Sequence, residues 1–184
     1  MTRSSPAPGA ATDPHRALLD AAIEGDGVAL AELVRQTQPL VWSVCRALGT
    51  SGEEADLVQE TYLRALRSLG SYRGDAPARA WLLSIARNVC ADHVRRRQRQ
   101  RRLLDKLERH AVGGAVAASD PIDDLLAGLH PDRREAFVLT QYVGLGYDEA
   151  AEVIGCPIGT IRSRVSRARA DLLAVLRADE ARGS

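Results

Sequence analysis

Four arginines, Arg162, Arg164, Arg167 and Arg169, and two serines, Ser163 and Ser166, lie close together in a stretch that holds no acid between Glu152 and Asp171. Read as a helix, this run turns Ile161 and Val165 inward and Arg162, Ser163, Ser166, Arg167 and Arg169 outward. A turn through Gly155-Cys156-Pro157 precedes it, and before that a short helical segment begins at Tyr147. Ala151 is small where two helices must cross, and Gly155 can take the left-handed conformation the turn needs. The segment from Tyr147 to Leu173 therefore has the pattern of a helix-turn-helix. Arginine reads guanine with two hydrogen bonds in the major groove and serine serves base or phosphate, so the chemistry on offer is DNA recognition. The bland alternative is a solvated helix face; the preceding turn and the one-sided charge favour docking on DNA.

A second cationic cluster, six arginines between Arg95 and Arg102 (RRRQRQRR), stands apart from an acidic one at Glu53, Glu54, Asp56 and Glu60. The formal net charge is only +1, so nucleic-acid binding must come from local clustering. Asp56 and Glu60 are spaced i,i+4 and could share a metal, but two acids on one helix lack the further converging ligands of metal-assisted hydrolysis. His15, His93, His110 and His130 are scattered, and Cys45, Cys90 and Cys156 have no zinc spacing. No catalytic residue, metal or cofactor is expected; the cysteines read as reduced core thiols. Without an apolar leader or a spanning run, the chain is expected in the cytoplasm.

The elements that position these groups are helical. Hydrophobic residues make up 45% and charged residues 27%, an ordinary globular balance dominated by Ala, Leu, Arg and Glu. The class is all-α. Residues 1–12 are low-complexity and expected as a disordered tail. Asp13-Pro14 reads as cap and first helical turn, and apolar spacing from Val28 to Leu48 predicts a long helix kinked at Pro39. Ser51 and Glu54 have the spacing of a capping box for the next helix, which ends near Gly70. After Pro77, Trp81, Leu82, Ile85, Ala86, Val89, Cys90 and Val94 mark a long helix that runs into the arginine block. Glycines and small residues over 110–119 read as a flexible linker. Asp120-Pro121 and His130-Pro131 then each start a helix ahead of the helix-turn-helix. The expectation is two small helical domains, 13–109 and 120–178, with a short tail at 179–184.

A helix-turn-helix alone fits a repressor or an activator as well; the first domain separates these readings. Asp56-Leu57-Val58-Gln59-Glu60-Thr61-Tyr62-Leu63-Arg64-Ala65 resembles the region 2.2 motif of sigma-70-family proteins. Tyr72-Arg73-Gly74-Asp75, Trp81 to Asn88, and Asp92-His93-Val94-Arg95-Arg96 resemble regions 2.3 and 2.4. Leu129-His130-Pro131, Arg134-Glu135, Gly144 to Tyr147 and Cys156 to Arg164 resemble region 4. The absence of a domain between them matches the extracytoplasmic-function (ECF) group. Leu83 and Ser84 depart from the pattern, standing where many members carry an aromatic and a basic residue.

The resemblance implies an alternative sigma factor rather than an enzyme. Its partners would be core RNA polymerase, through the clamp of the beta-prime subunit and the flap of the beta subunit, promoter DNA, and an anti-sigma factor. Asp56, Leu57, Gln59 and Glu60 would touch the polymerase. Tyr72, Arg73, Asp75, Arg87, Asn88, Arg95 and Arg96 would meet the minus-ten element, where a flipped base can be captured by aromatic and arginine side chains. Tyr147, Thr160, Arg162, Ser163, Arg164, Ser166, Arg167 and Arg169 would meet the minus-35 element. The runner-up is a conventional helix-turn-helix regulator, which would need a sensing or dimerisation domain in place of the polymerase-docking pattern.

Overall fold

The computed structural model describes residues 13–107 and 121–182, all of whose regular structure is helical. The expected tail at 1–12 and linker at 110–119 lie outside them. The helices are α1 (Arg16–Ile23), α2 (Gly27–Leu48), α3 (Glu54–Ser68) and α4 (Ala78–Leu107), then α5 (Pro121–Ala127), α6 (Pro131–Phe137), α7 (Tyr147–Ile154) and α8 (Ile158–Arg182). A 3-10 turn, Leu69–Ser71, follows α3, and a π turn, Val138–Tyr142, extends α6.

The N-terminal domain packs α2, α3 and α4 around Val41, Val44, Leu57, Leu82, Leu83, Ala86 and Val89, all buried, while α1 adds Leu19 beside Leu33 and Ala78. Three buried hydroxyls would be costly here if unpaired, and each bonds its own helix four residues back. Thr37 donates to Leu33 O, Thr61 to Leu57 O and Thr140 to Ala136 O, each at 2.7 Å. Thr37 also meets the Tyr62 hydroxyl at 2.9 Å, tying α2 to α3.

α2 runs as one helix through Pro39, although that residue has no N–H for the Arg35 carbonyl. Two helix starts differ from the sequence expectation. Ser51 caps nothing; α3 starts after Glu53, and Glu54 accepts from Gly52 N at 3.0 Å. α1 starts at Arg16 with His15 at its N-cap position, later than Asp13-Pro14 would begin it, and Asp13 bonds on both sides. One carboxylate oxygen accepts from His15 N at 3.1 Å, and the other from Ala78 N at 2.6 Å, capping α4 from across the domain. At the α2–α3 corner only glycine fits: a Cβ on Gly49 would fall 2.3 Å from Cys45 O and 2.4 Å from Leu57 Cδ1.

The two domains are not separate bodies. Leu139, Leu145, Ala150, Val153 and Ile161 join the same buried cluster as Val41, Val44, Val89 and Cys90. A second cluster sets Ala47 of α2 among Leu126, Leu129, Val138 and Ala168. Cys45 and Cys90 are buried free thiols in this region. A hydrogen bond with Cys45, together with burial, pushes the Cys90 thiol up, so it stays protonated. Cys156 is only half-buried, in the helix-turn-helix turn rather than in the core.

The capping geometry makes a paired prediction. Asp13→Ala should lower unfolding free energy by about 1–2 kcal/mol, because it strips a cap from α4. Ser51→Ala should change it by less than about 0.5 kcal/mol. Urea denaturation followed by circular dichroism checks both; equal losses would restore Ser51 as a cap.

Candidate nucleic-acid interface

The helix-turn-helix forms where its residues placed it. Gly146 N donates to Glu149 Oε2 at 2.9 Å at the start of α7, and Gly155 closes the helix in the left-handed region at φ +76°, ψ +42°. Gly155 N and Cys156 N both donate to Ala151 O, and Thr160 N to Pro157 O at 2.8 Å starts the next helix. On α8, Ile161, Val165 and Ala168 are at most 1% exposed, which fixes the helix's rotation. Arg162, Ser163, Ser166 and Arg167 therefore stand exposed on the far side. Arg164 turns back instead: its guanidinium bonds Asp132 at 2.9 Å and approaches Cys156 Sγ. Arg169 is exposed and donates to Gln141 Oε1 at 2.5 Å. Tyr147 and Thr160 are half-buried, Tyr147 against the shared core.

On α3, Asp56 and Gln59 are exposed, and Glu60 accepts from Arg64 at 2.7 Å. Arg64 continues to Asp92 at 2.8 Å, and Asp92 to Arg95 at 2.6 Å, an ion-pair chain from α3 onto α4. The Arg64 and Arg95 guanidiniums hold the Asp92 carboxyl below its usual range. Leu57 does not belong with its neighbours. It is 3% exposed and packs inward, since the spacing that puts Asp56 and Gln59 outside puts Leu57 in the core. It can shape the α3 face only by anchoring the helix.

The loop before α4 is more tightly braced than its composition indicates. The Tyr72 hydroxyl donates to Ala76 O at 2.6 Å, its ring lies 5.3 Å from the Trp81 ring, and the Arg16 guanidinium sits 5.5 Å from its centroid. Arg16 also crowds Gly74, whose φ of +79° requires glycine. Arg73 and Asp75 are exposed at the loop surface. Asn88 and Arg95, seven residues apart, share an exposed strip of α4, and Arg96 is exposed beside it. Leu83 is 1% exposed, so its departure from the aromatic pattern is a matter of packing. Ser84 bonds Trp81 O at 2.7 Å.

Arg87 is not open to solvent in the same way: its guanidinium is paired through two nitrogens with Glu135 of α6. Two further pairs that the sequence reading missed also join the domains. Arg79 meets Glu149 through two bonds, at 2.8 and 2.5 Å, and Arg46 meets Asp123 at 2.9 Å. Arg134 is also drawn in, and burial lowers its pKa from the usual arginine value. The partners are 48 to 77 residues apart, so no local spacing could have announced them.

Comparison with known proteins agrees with this layout. Residues 33–100 match the family described as Sigma-70 region 2, and residues 119–172 match Sigma-70, region 4. The chain is 43% identical over 173 residues to the ECF RNA polymerase sigma factor SigC of Mycobacterium tuberculosis, covering 91% of this chain and 94% of that protein. It is 33% identical over 169 residues to the ECF RNA polymerase sigma-E factor of Escherichia coli, covering 83% and 88%. Among solved structures, it is similar to CnrH in complex with the cytosolic domain of CnrY, with a TM-score of 0.72, 31% identity and coverage of 90% and 98%. The sigma factor RpoE of Bartonella quintana, in complex with the anti-sigma factor NepR, gives a TM-score of 0.66 at 33% identity, with coverage of 81% and 96%. With both domains matched in order and relatives aligned along nearly their whole length, the chain belongs to the ECF sigma factors of the sigma-70 family and is an alternative RNA polymerase sigma factor.

Proposed function

We propose a division of labour in which the outer face of α3 docks on the polymerase clamp, the 71–76 loop with the outer strip of α4 engages the minus-ten element, and α8 reads the minus-35 element. The observation that carries this reading is the rotation of α8: three residues at most 1% exposed turn Arg162, Ser163, Ser166 and Arg167 together into solvent. An arginine free at its tip can reach a base edge, whereas Arg164, bonded to Asp132, suits a bracing role. Arg169 suits a phosphate, at the flank of the groove.

Asp56 and Gln59 offer a polar, acid-bearing surface for a basic clamp, and Glu60 reaches it through Arg64. For the minus-ten element, Arg73, Asp75, Asn88, Arg95 and Arg96 are the exposed contributors. Tyr72 braces the loop that presents them, and its ring becomes available to a flipped base only by giving up its packing on Trp81. A groove of about 530 Å³ between α5 and the end of α8, lined by Leu125, Leu172, Val175 and Leu176 with Asp124, Asp171 and Asp179 among them, suits docking of the beta flap. Regulation by an anti-sigma factor is supported by RpoE of Bartonella quintana, which was solved with one. A cytoplasmic setting accords with these partners, and no helix among the described residues is long and apolar enough to cross a membrane.

Two experiments test the assignments. Reversing Asp56 and Glu60 to arginine should weaken binding to core polymerase by roughly ten-fold while helicity is kept, since complementary charge is lost at the docking face; wild-type affinity would remove α3 from that role. In titrations of a promoter panel changed base by base, Arg167→Ala should lose about 1–3 kcal/mol of discrimination at one position. Arg169→Ala should weaken all sequences alike and flatten the salt dependence. Uniform losses in both would mean that α8 positions the protein without reading sequence.

A further inference from the structure

A cleft of about 470 Å³ opens where α4 meets α5 and α6. That volume lies within the roughly 300–1,000 Å³ of small-molecule sites. Its lining is of two kinds. Leu48, Val94 and Leu129 supply apolar wall, whereas Arg87, Arg95 and Arg134 set three guanidiniums against one carboxylate, Glu135. This is the composition of a ligand site, apolar surface with a few charged groups that fix orientation.

The three arginines are not equally committed. Arg87 is held through two nitrogens by Glu135, and Arg95, with 61% of its side chain exposed, gives one nitrogen to Asp92 at 2.6 Å. Arg134 has no such partner: its Nε is buried and makes no hydrogen bond among the described residues. The carboxylate that acts on it, Asp123, already accepts from Arg46 at 2.9 Å. A buried guanidinium without a bonded anion is costly, and burial accordingly lowers its pKa. An anion entering the cleft would offset that cost. A phosphate monoester brings a charge of about −1.5 to −2 at pH 7 and three acceptor oxygens, enough for Arg134 and an exposed neighbour together. The planar arginine fork matches its oxygens. Inorganic phosphate alone would leave the apolar walls uncovered.

We infer that the cleft between α4 and α5–α6 is a binding site for a small organic phosphate. Its phosphoryl group is held by the Arg134 guanidinium together with Arg95, and its apolar or aromatic body lies against Leu48, Val94 and Leu129. The site stands apart from the assignment of α4 to promoter DNA, because Arg134 belongs to α6 and to none of the DNA-facing strips. A nucleic-acid backbone offers phosphates too, but each is a singly charged diester, whereas the monoester carries nearly twice that charge.

The test uses the full chain and phenyl phosphate, which carries both halves of such a ligand, with inorganic phosphate and phenol as its separate parts. In equilibrium dialysis phenyl phosphate should occupy a single site at least about ten-fold more tightly than inorganic phosphate, and phenol should not bind. Phenyl phosphate should also raise the melting temperature. Arg134→Met should weaken its binding roughly ten-fold or more, the loss of a charge-assisted contact. Without ligand the same variant should melt no lower than wild type, because an unmet buried charge has been removed. Ala127→Phe, which fills the cleft from α5 and leaves every arginine in place, should abolish binding with helicity unchanged by circular dichroism. Arg101→Ala, exposed and outside the cleft, should leave binding as it is. Absence of binding at millimolar phenyl phosphate, or wild-type binding by Arg134→Met or Ala127→Phe, would overturn the site. A lower melting temperature for ligand-free Arg134→Met would show that the fold itself satisfies the guanidinium, and would overturn it too. A short single-stranded oligonucleotide should not displace phenyl phosphate; displacement would assign the cleft to nucleic acid and overturn the small-molecule reading.

Discussion

Everything in this molecule is arranged about α4, which has to satisfy three neighbours with one helical repeat. Its side chains advance by about 100° per residue, so Leu82, Leu83, Ala86, Val89 and Cys90 share an arc that only burial satisfies. That arc meets α2 and α3. Arg79, in line with that arc at the start of the helix, and Arg87, beside it, meet the C-terminal domain, and the opposite strip carries Asn88 and Arg95 into solvent. Turning the helix by one residue would bring a charged side chain into the core, so the three assignments stand or fall together. Asp13 at one end of α4 and the Glu60–Arg64–Asp92–Arg95 chain along its side hold the helix in that setting.

The C-terminal domain solves a similar problem with small residues. Ala150 and Ala151 let α7 lie close to its neighbours, and Gly155 reverses the chain within three residues of α8. The rotation of α8 is then set from beneath, by Ile161, Val165 and Ala168, rather than by anything on its exposed side. An exposed face fixed in this way can vary its outward residues with little effect on the fold. The inward faces of α7 and α8 are more constrained, because Ala150, Val153 and Ile161 also form the contact with α2 and α4.

Much of this was legible in the sequence, for reasons that are local. The turn through Gly155 and Pro157, the apolar spacing of α2 and α4, and the family motifs are all written within a few residues of one another. Elements failed where the partner was remote or where two local signals competed. Ser51 had cap spacing, but Glu54 bonds Gly52 N and the helix starts after Glu53. Asp13 was placed as a cap for α1, but His15 holds that position and an Asp13 oxygen serves Ala78, 65 residues on. Leu57 was drawn into the docking set by its motif although its register is inward. Tyr72 looked available because it lies between two helices; packing on Trp81 and a bond to Ala76 O hold it down. Arg46 and Arg79 carry no motif at all, and their partners arise only from the way two domains meet.

The distance in sequence between those partners also bears on how the protein is made. On a ribosome adding about 5–20 residues per second, the N-terminal domain is synthesised well before the helices that cover it. The interval between Arg46 and Asp123, 77 residues, corresponds to roughly 4–15 s. During that time Val41, Val44 and Ala47 lack part of their final cover, and Arg46, Arg79 and Arg87 await the Asp123, Glu149 and Glu135 carboxylates. The nascent chain therefore presents an apolar surface ringed by arginines, attractive to nucleic acid and to other unfinished chains. Completion of α5–α7 withdraws that surface, so synthesis itself sets the order in which the protein passes from adhesive to self-contained.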